Sequence, residues 1–161
     1  MTSDPSTVSH EHLVELEIAS YIKRARIALV LIGILDAWTA YGNYDHLGPW
    51  RDGSMFENEP TGELKALIDL TYFIIVFTGI ASVANVVLAA IAGTKTAFAI
   101  YTAMGIFAVC TGLRLYQSNG RYLSNWLWRV TTIVLGMGLQ AAYKANQLRK
   151  SRRFAKAHLV G

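Results

Sequence analysis

Cysteine is nearly absent. Cys110 is the only one in 161 residues, which excludes a disulfide framework, a cysteine-based metal cluster and a dithiol redox relay. Charge is scarce as well: Asp, Glu, Lys and Arg make up 16% of the chain, against about 25% in ordinary soluble domains. A water-soluble globule is a poor fit to that figure. No Asn-x-Ser/Thr acceptor occurs, so glycosylation gives no clue to compartment. Nor is there a recognisable nucleophile–base pair, metal-ligand set or phosphate-cradling loop. None of the four histidines lies well inside an apolar run, which argues against haem ligation within a membrane.

What the chain does have is bunched hydrophobicity. Apolar types reach 53%, and the mean hydropathy is +0.31. A hydrocarbon core of about 30 Å takes roughly 20 helical residues to cross, and spans are expected at 25–42, 66–92, 97–116 and 126–143. The runs are continuous rather than alternating and rich in Ala, Leu, Ile and Met, which favours helices over strands. The expected fold is all-α: an integral membrane four-helix bundle occupying 1–161 as one domain.

Lys and Arg set the orientation. Lys23, Arg24 and Arg26 precede the first run, Lys95 lies in the short second connection, and Lys144, Arg149, Lys150, Arg152, Arg153 and Lys156 follow the fourth. The other side keeps Arg51, Lys65, Arg114, Arg121 and Arg129. Both termini are therefore expected in the cytoplasm of a multi-pass protein, with a bacterial inner membrane as the expected location. Trp38, Tyr41, Tyr44, Trp50, Tyr116, Tyr122, Trp126 and Trp128 gather at the outer ends, where amphipathic rings favour the headgroup level. The N-terminal segment carries Asp4, Glu11, Glu15 and Glu17, unlike a basic signal or transit peptide; the first span is expected to remain as an anchor.

The flanks are expected to be helical too. Ser9 or Thr7 is placed to cap an amphipathic helix over 1–24, with Val14, Ile18, Tyr21 and Ala25 on one face. It either runs into the first span or lies along the membrane surface. It serves to dock a partner, or its glutamates pack on the chain's own basic tail. An outer loop is expected over 43–65, with turn signals at Gly48-Pro49, Asp52-Gly53 and Glu59-Pro60. Its acids are solvated or attract cations toward a pore mouth; His46 with Asp45 and Asp52 lacks a metal-ligand spacing. The helical tail over 144–161 carries Arg149, Lys150, Arg152, Arg153 and Lys156 without an acid, which suits anionic lipid headgroups or a partner. A fold for nucleic-acid readout is absent.

Ionisable groups at membrane depth are functional candidates by default. Asp36 falls near the middle of the first run, and Asp69, Arg114 and Arg129 lie within about a turn of the outer boundary. Four stripes of small and polar residues are expected to face neighbouring helices. They are Gly33-Asp36-Ala40; Thr71-Thr78-Ser82-Asn85-Ala89; Ala99-Ala103-Cys110-Arg114; and Arg129-Thr132-Gly136-Gln140-Tyr143. Asp69 opposes the second stripe, which points to oligomerisation. Either the acids pair with Arg114 and Arg129 and lock the bundle, or Asp36 is a proton or cation site with Asn85 and Gln140 lining a path.

Known small four-span families do not fit. Small multidrug transporters need a glutamate in the first span, whereas the acid here is Asp36 and the residues around it do not match; disulfide-generating oxidases need cysteine pairs. The motifs of fluoride channels and of glutathione-using membrane enzymes are not found. The layout from Tyr21 to Arg153 resembles uncharacterised small bacterial four-span proteins. It does so through Ala25-Arg26 before Val30-Leu31-Ile32-Gly33-Ile34-Leu35, a basic turn at Lys95-Thr96 and an exit at Leu148-Arg149-Lys150. The resemblance implies a class and no activity. The expected function is that of a non-enzymatic structural or accessory subunit, with neighbours that are other membrane subunits or copies of itself. The alternative is a homo-oligomeric ion or proton channel or small transporter using Asp36.

Overall fold

A computed structural model describes residues 5–51, 62–118 and 125–159. The described residues form four helices: α1 (Pro5–Arg51), α2 (Gly62–Ile91), α3 (Thr96–Gln117) and α4 (Trp126–Leu159). Asp52, Glu57, Glu59, Arg121 and Tyr122 lie outside the described residues, as do the side chains of Thr7, Ser9, Trp50 and Lys156.

Local chemistry sets several of the helix ends. Gly62 enters α2 at φ 60°, in the left-handed region that only glycine adopts at little cost. The α2–α3 turn closes when the Thr94 and Lys95 amides donate to the Ile91 carbonyl at 3.0 Å. Asn125 caps α4: its Oδ1 accepts from the Leu127 amide at 2.9 Å, satisfying one of the helix's orphan donors. The expected turn at Gly48-Pro49 does not form, and α1 runs through it to Arg51. A proline costs most in a helix interior, whereas Pro49 sits in the last turn. The outer connection is therefore shorter than 43–65, and Asp45 and His46 ride on α1.

The helices pack antiparallel in the order α1, α2, α3, α4 around a square. Each touches its neighbours in the chain, α1 also touches α4, and the α1–α3 diagonal is slight. Ala25, Leu29, Ile32, Leu88, Ala92, Ala99, Ile100 and Ala142 form the centre. So many alanines allow the axes to approach closely. Two glycines tighten the contact further. A Cβ on Gly33 would lie 3.0 Å from the Ser82 carbonyl oxygen, and one on Gly138 would lie 3.0 Å from the Ala28 Cβ.

Helix α1 has 47 residues, about 70 Å at 1.5 Å per residue, whereas α3 has 22. The ends of α1 and α4 consequently run past the α2–α3 turn as a two-helix extension. Helices α2 and α3 are long and apolar enough to cross a membrane; among the described residues α1 and α4 are not. Four such spans are expected from the apolar runs alone. In α1 the apolar run is short, with Lys23, Arg24 and Arg26 before it and Asp36 inside. In α4, Arg129, Gln140 and several Thr and Gly residues dilute it.

Candidate functional site

A polar seam runs along α2. Thr71, Thr78, Ser82 and Asn85 fall on one face, the last two bonding to α1 and the first two to α3. Toward α1, the Ser82 hydroxyl donates to the Gly33 carbonyl at 2.7 Å, and Asn85 Nδ2 donates to Asp36 Oδ2 at 3.1 Å. Toward α3, Arg114 Nη2 donates to Thr78 Oγ1 at 2.9 Å, and Gln117 Nε2 donates to Thr71 Oγ1 at 2.6 Å. Both threonine hydroxyls pass their own protons back to the helix, Thr78 to Ile74 at 2.7 Å and Thr71 to Leu67 at 2.8 Å. Each threonine is thus donor and acceptor at once, and polar atoms inside an apolar bundle are satisfied in pairs.

Asp36 and Arg114 belong to this seam. The guanidinium is buried and close enough to act electrostatically on the half-buried carboxylate. Charges out of water need such company. Asn85 is 1% exposed; its Oδ1 finds no hydrogen-bond donor among the described residues.

Arg114 and Gln117 also reach a cavity of about 550 Å³ at the loop end. All four helices line it. Trp38, Leu67, Ile74 and Leu127 give it apolar walls, and Asn43, His46 and Asn125 stand among them. Ligand cavities commonly fall in the range of about 300–1,000 Å³. The seam continues from the cavity floor toward Asp36 and then stops. Below it lie Leu29, Ile32, Leu88, Ile100 and Leu135, a closed apolar layer.

The other expected intramembrane groups lie apart. Asp69 and Arg129 are exposed, and among the described residues neither takes part in an ion pair. The expected inward stripe on α4 is a correction. Arg129, Thr132, Gly136, Gln140 and Tyr143 all face outward, while Thr131, Leu135, Gly138, Ala141, Ala142 and Ala145 are buried. Small apolar side chains let α4 come close to α1 and α3, and no polar partner waits there to reward the polar stripe.

At the basic end, Arg152 Nη2 lies 2.5 Å from Glu15 Oε1. Arg149 Nη2 donates to the Gly93 carbonyl at 3.4 Å, tying the tail to the α2–α3 turn. Lys150 and Arg153 are exposed. Three contacts had no sequence signal beyond helical spacing. Arg26 Nε donates to the Ala89 carbonyl at 2.9 Å, and the Tyr21 ring lies 5.5 Å from both Arg24 Cζ and Lys144 Nζ.

Among the described residues no three His, Cys, Asp or Glu side chains gather as a metal site. Comparison with protein-family models, with curated proteins and with solved structures finds no match to this chain.

Proposed function

We propose that the chain is a non-enzymatic, multi-pass membrane protein that serves as a structural or accessory subunit, with both termini on the cytoplasmic side. The observation that carries this reading is the inverted distribution of polarity. Ile80, Val83, Val87, Phe98, Ile133 and Met137 are more than half exposed, while Thr78, Asn85 and Arg114 are buried. Water penalises such a surface, and hydrocarbon does not. Trp38, Tyr41, Tyr116 and Trp126 are also exposed and share the loop end, as a belt at one interface would. Helices α1 and α4 cross beside the two more apolar helices, their polar groups covered by bundle contacts or by neighbouring chains.

The alternative, a channel or transporter using Asp36, draws on the outer cavity that leads toward that carboxylate. The apolar layer beneath it weighs against a path through one bundle. Extraction of the full chain in mild detergent, followed by native mass spectrometry, separates the readings. Stoichiometric foreign subunits support the accessory role. A homo-oligomer that conducts protons or ions in vesicles, and stops when Asp36→Asn is introduced, overturns it.

A further inference from the structure

A second cavity lies on the outside of the bundle, toward its basic end. It is a groove of about 320 Å³ between α1 and α4. The antiparallel register of the two helices gives it a polarity gradient. At the mouth stand Arg24 from α1 and Lys144 from α4, both beside the Tyr21 ring. One turn deeper Gln140 presents its amide, and deeper still Ile27, Leu31, Val134 and Met137 form an apolar wall. No carboxylate lines it among the described residues; of the α1 acids that precede Tyr21, Glu15 pairs with Arg152 and Glu17 is exposed.

We infer that this groove is a binding site for one anionic glycerophospholipid of the cytoplasmic leaflet. The phosphate lies between Arg24 and Lys144, with Gln140 donating to the glycerol or ester oxygens and an acyl chain running along Ile27, Leu31 and Met137. Charge complementarity selects the headgroup, since basic pockets between membrane helices favour anionic lipids over zwitterionic ones. The wall selects an occupant with a chain, which inorganic phosphate lacks. The Tyr21 ring holds both cations at the mouth by cation–π attraction and keeps their heads from folding away into solvent. The site also accounts for the outward position of Gln140, which faces a lipid's polar region instead of bare hydrocarbon. It differs from general attraction to the basic tail, because Lys150 and Arg153 take no part in the headgroup contact. This inference rests on the membrane reading proposed above.

The test uses the full chain, purified in detergent and stripped of lipid. Phosphatidylglycerol or phosphatidylcholine with identical chains is added back, and native mass spectrometry counts what is retained. Wild-type protein is expected to keep one phosphatidylglycerol at least about tenfold better than phosphatidylcholine, as two cations near a headgroup provide. The Arg24→Gln/Lys144→Gln pair loses the preference, and Lys150→Gln/Arg153→Gln retains it. Met137→Trp, which fills the wall, loses retention of the lipid while its circular dichroism stays that of the wild type. Equal retention of the two lipids by wild-type protein overturns the site, and so does loss of preference in the tail pair but not the groove pair. A chain that stays soluble without detergent overturns the membrane reading itself, a separate outcome from absent lipid preference.

Discussion

Asp36 on α1 and Asn85 on α2 meet at 3.1 Å, with the asparagine amide donating to the carboxylate and Arg114 of α3 acting on the same charge. Three helices therefore converge on one carboxylate. If that group serves the architecture, Asp36→Asn keeps an acceptor for Asn85 but removes the charge facing Arg114. The expected result is a loss of about 3 kcal/mol in stability, since removing one partner leaves the buried Arg114 cation without its compensating charge. It is read by denaturant unfolding in detergent. Proton flux in vesicles is expected to be absent before and after the change. Unaltered stability together with flux that the substitution abolishes would sink the structural role.

Two glycines on α4, two residues apart and so on opposite faces of the helix, give a sharper contrast. A Cβ at Gly138 would meet Ala28 Cβ at 3.0 Å and Ile100 Cδ1 at 3.2 Å, while Gly136 has nothing within 4 Å. Gly138→Ala is expected to destabilise the bundle by about 1–3 kcal/mol through overpacking. Gly136→Ala is expected to be neutral, or to stabilise by up to about 1 kcal/mol through helix propensity. Comparing the two melts checks the register of α4 directly. Equal effects would mean that this face is wrongly placed.

That register was the part of the bundle least legible in the sequence. The seam on α2 and the inward face of α3 follow from spacing, because Thr71, Thr78, Asn85, Ala103 and Arg114 have no comparable polar set on the opposite face. Helix α4 offers two competing stripes. The polar one ending in Gln140 and Tyr143 attracts attention as interhelical glue, but Gly138, Ala141 and Ala145 win the interior by letting backbones approach. Steric fit of this kind is a property of pairs of helices, and one helix's periodicity carries no record of it. The outer cavity was hidden for the same reason, since its lining comes from all four helices. Likewise Gly48-Pro49 reads as a turn, although a proline in a final helical turn loses little.

The Glu15–Arg152 contact at 2.5 Å joins two partly exposed side chains on the extension. A double-mutant cycle with Glu15→Gln and Arg152→Gln is expected to give a coupling below about 1 kcal/mol, fading as salt approaches about 1 M. A large, salt-resistant coupling would instead mark the extension as a rigid, desolvated interface.

Cys110 is buried, which makes orientation directly measurable. A membrane-impermeant maleimide is expected to leave the wild-type chain unlabelled in intact cells and to modify it only after denaturation. Gly42, with nothing within 4 Å of an added Cβ, lines the outer cavity, so a Gly42→Cys thiol has room and water. Lys150 is exposed at the opposite, basic end. With both termini in the cytoplasm, Gly42→Cys is labelled from outside, and Lys150→Cys only once the cells are permeabilised, because entering the hydrocarbon core costs a charged reagent too much. The reverse pattern inverts the topology drawn from the Lys and Arg distribution. Labelling of both sites in intact cells would place the bundle outside the membrane altogether, and with it remove the physical ground for reading the apolar surface as a lipid contact.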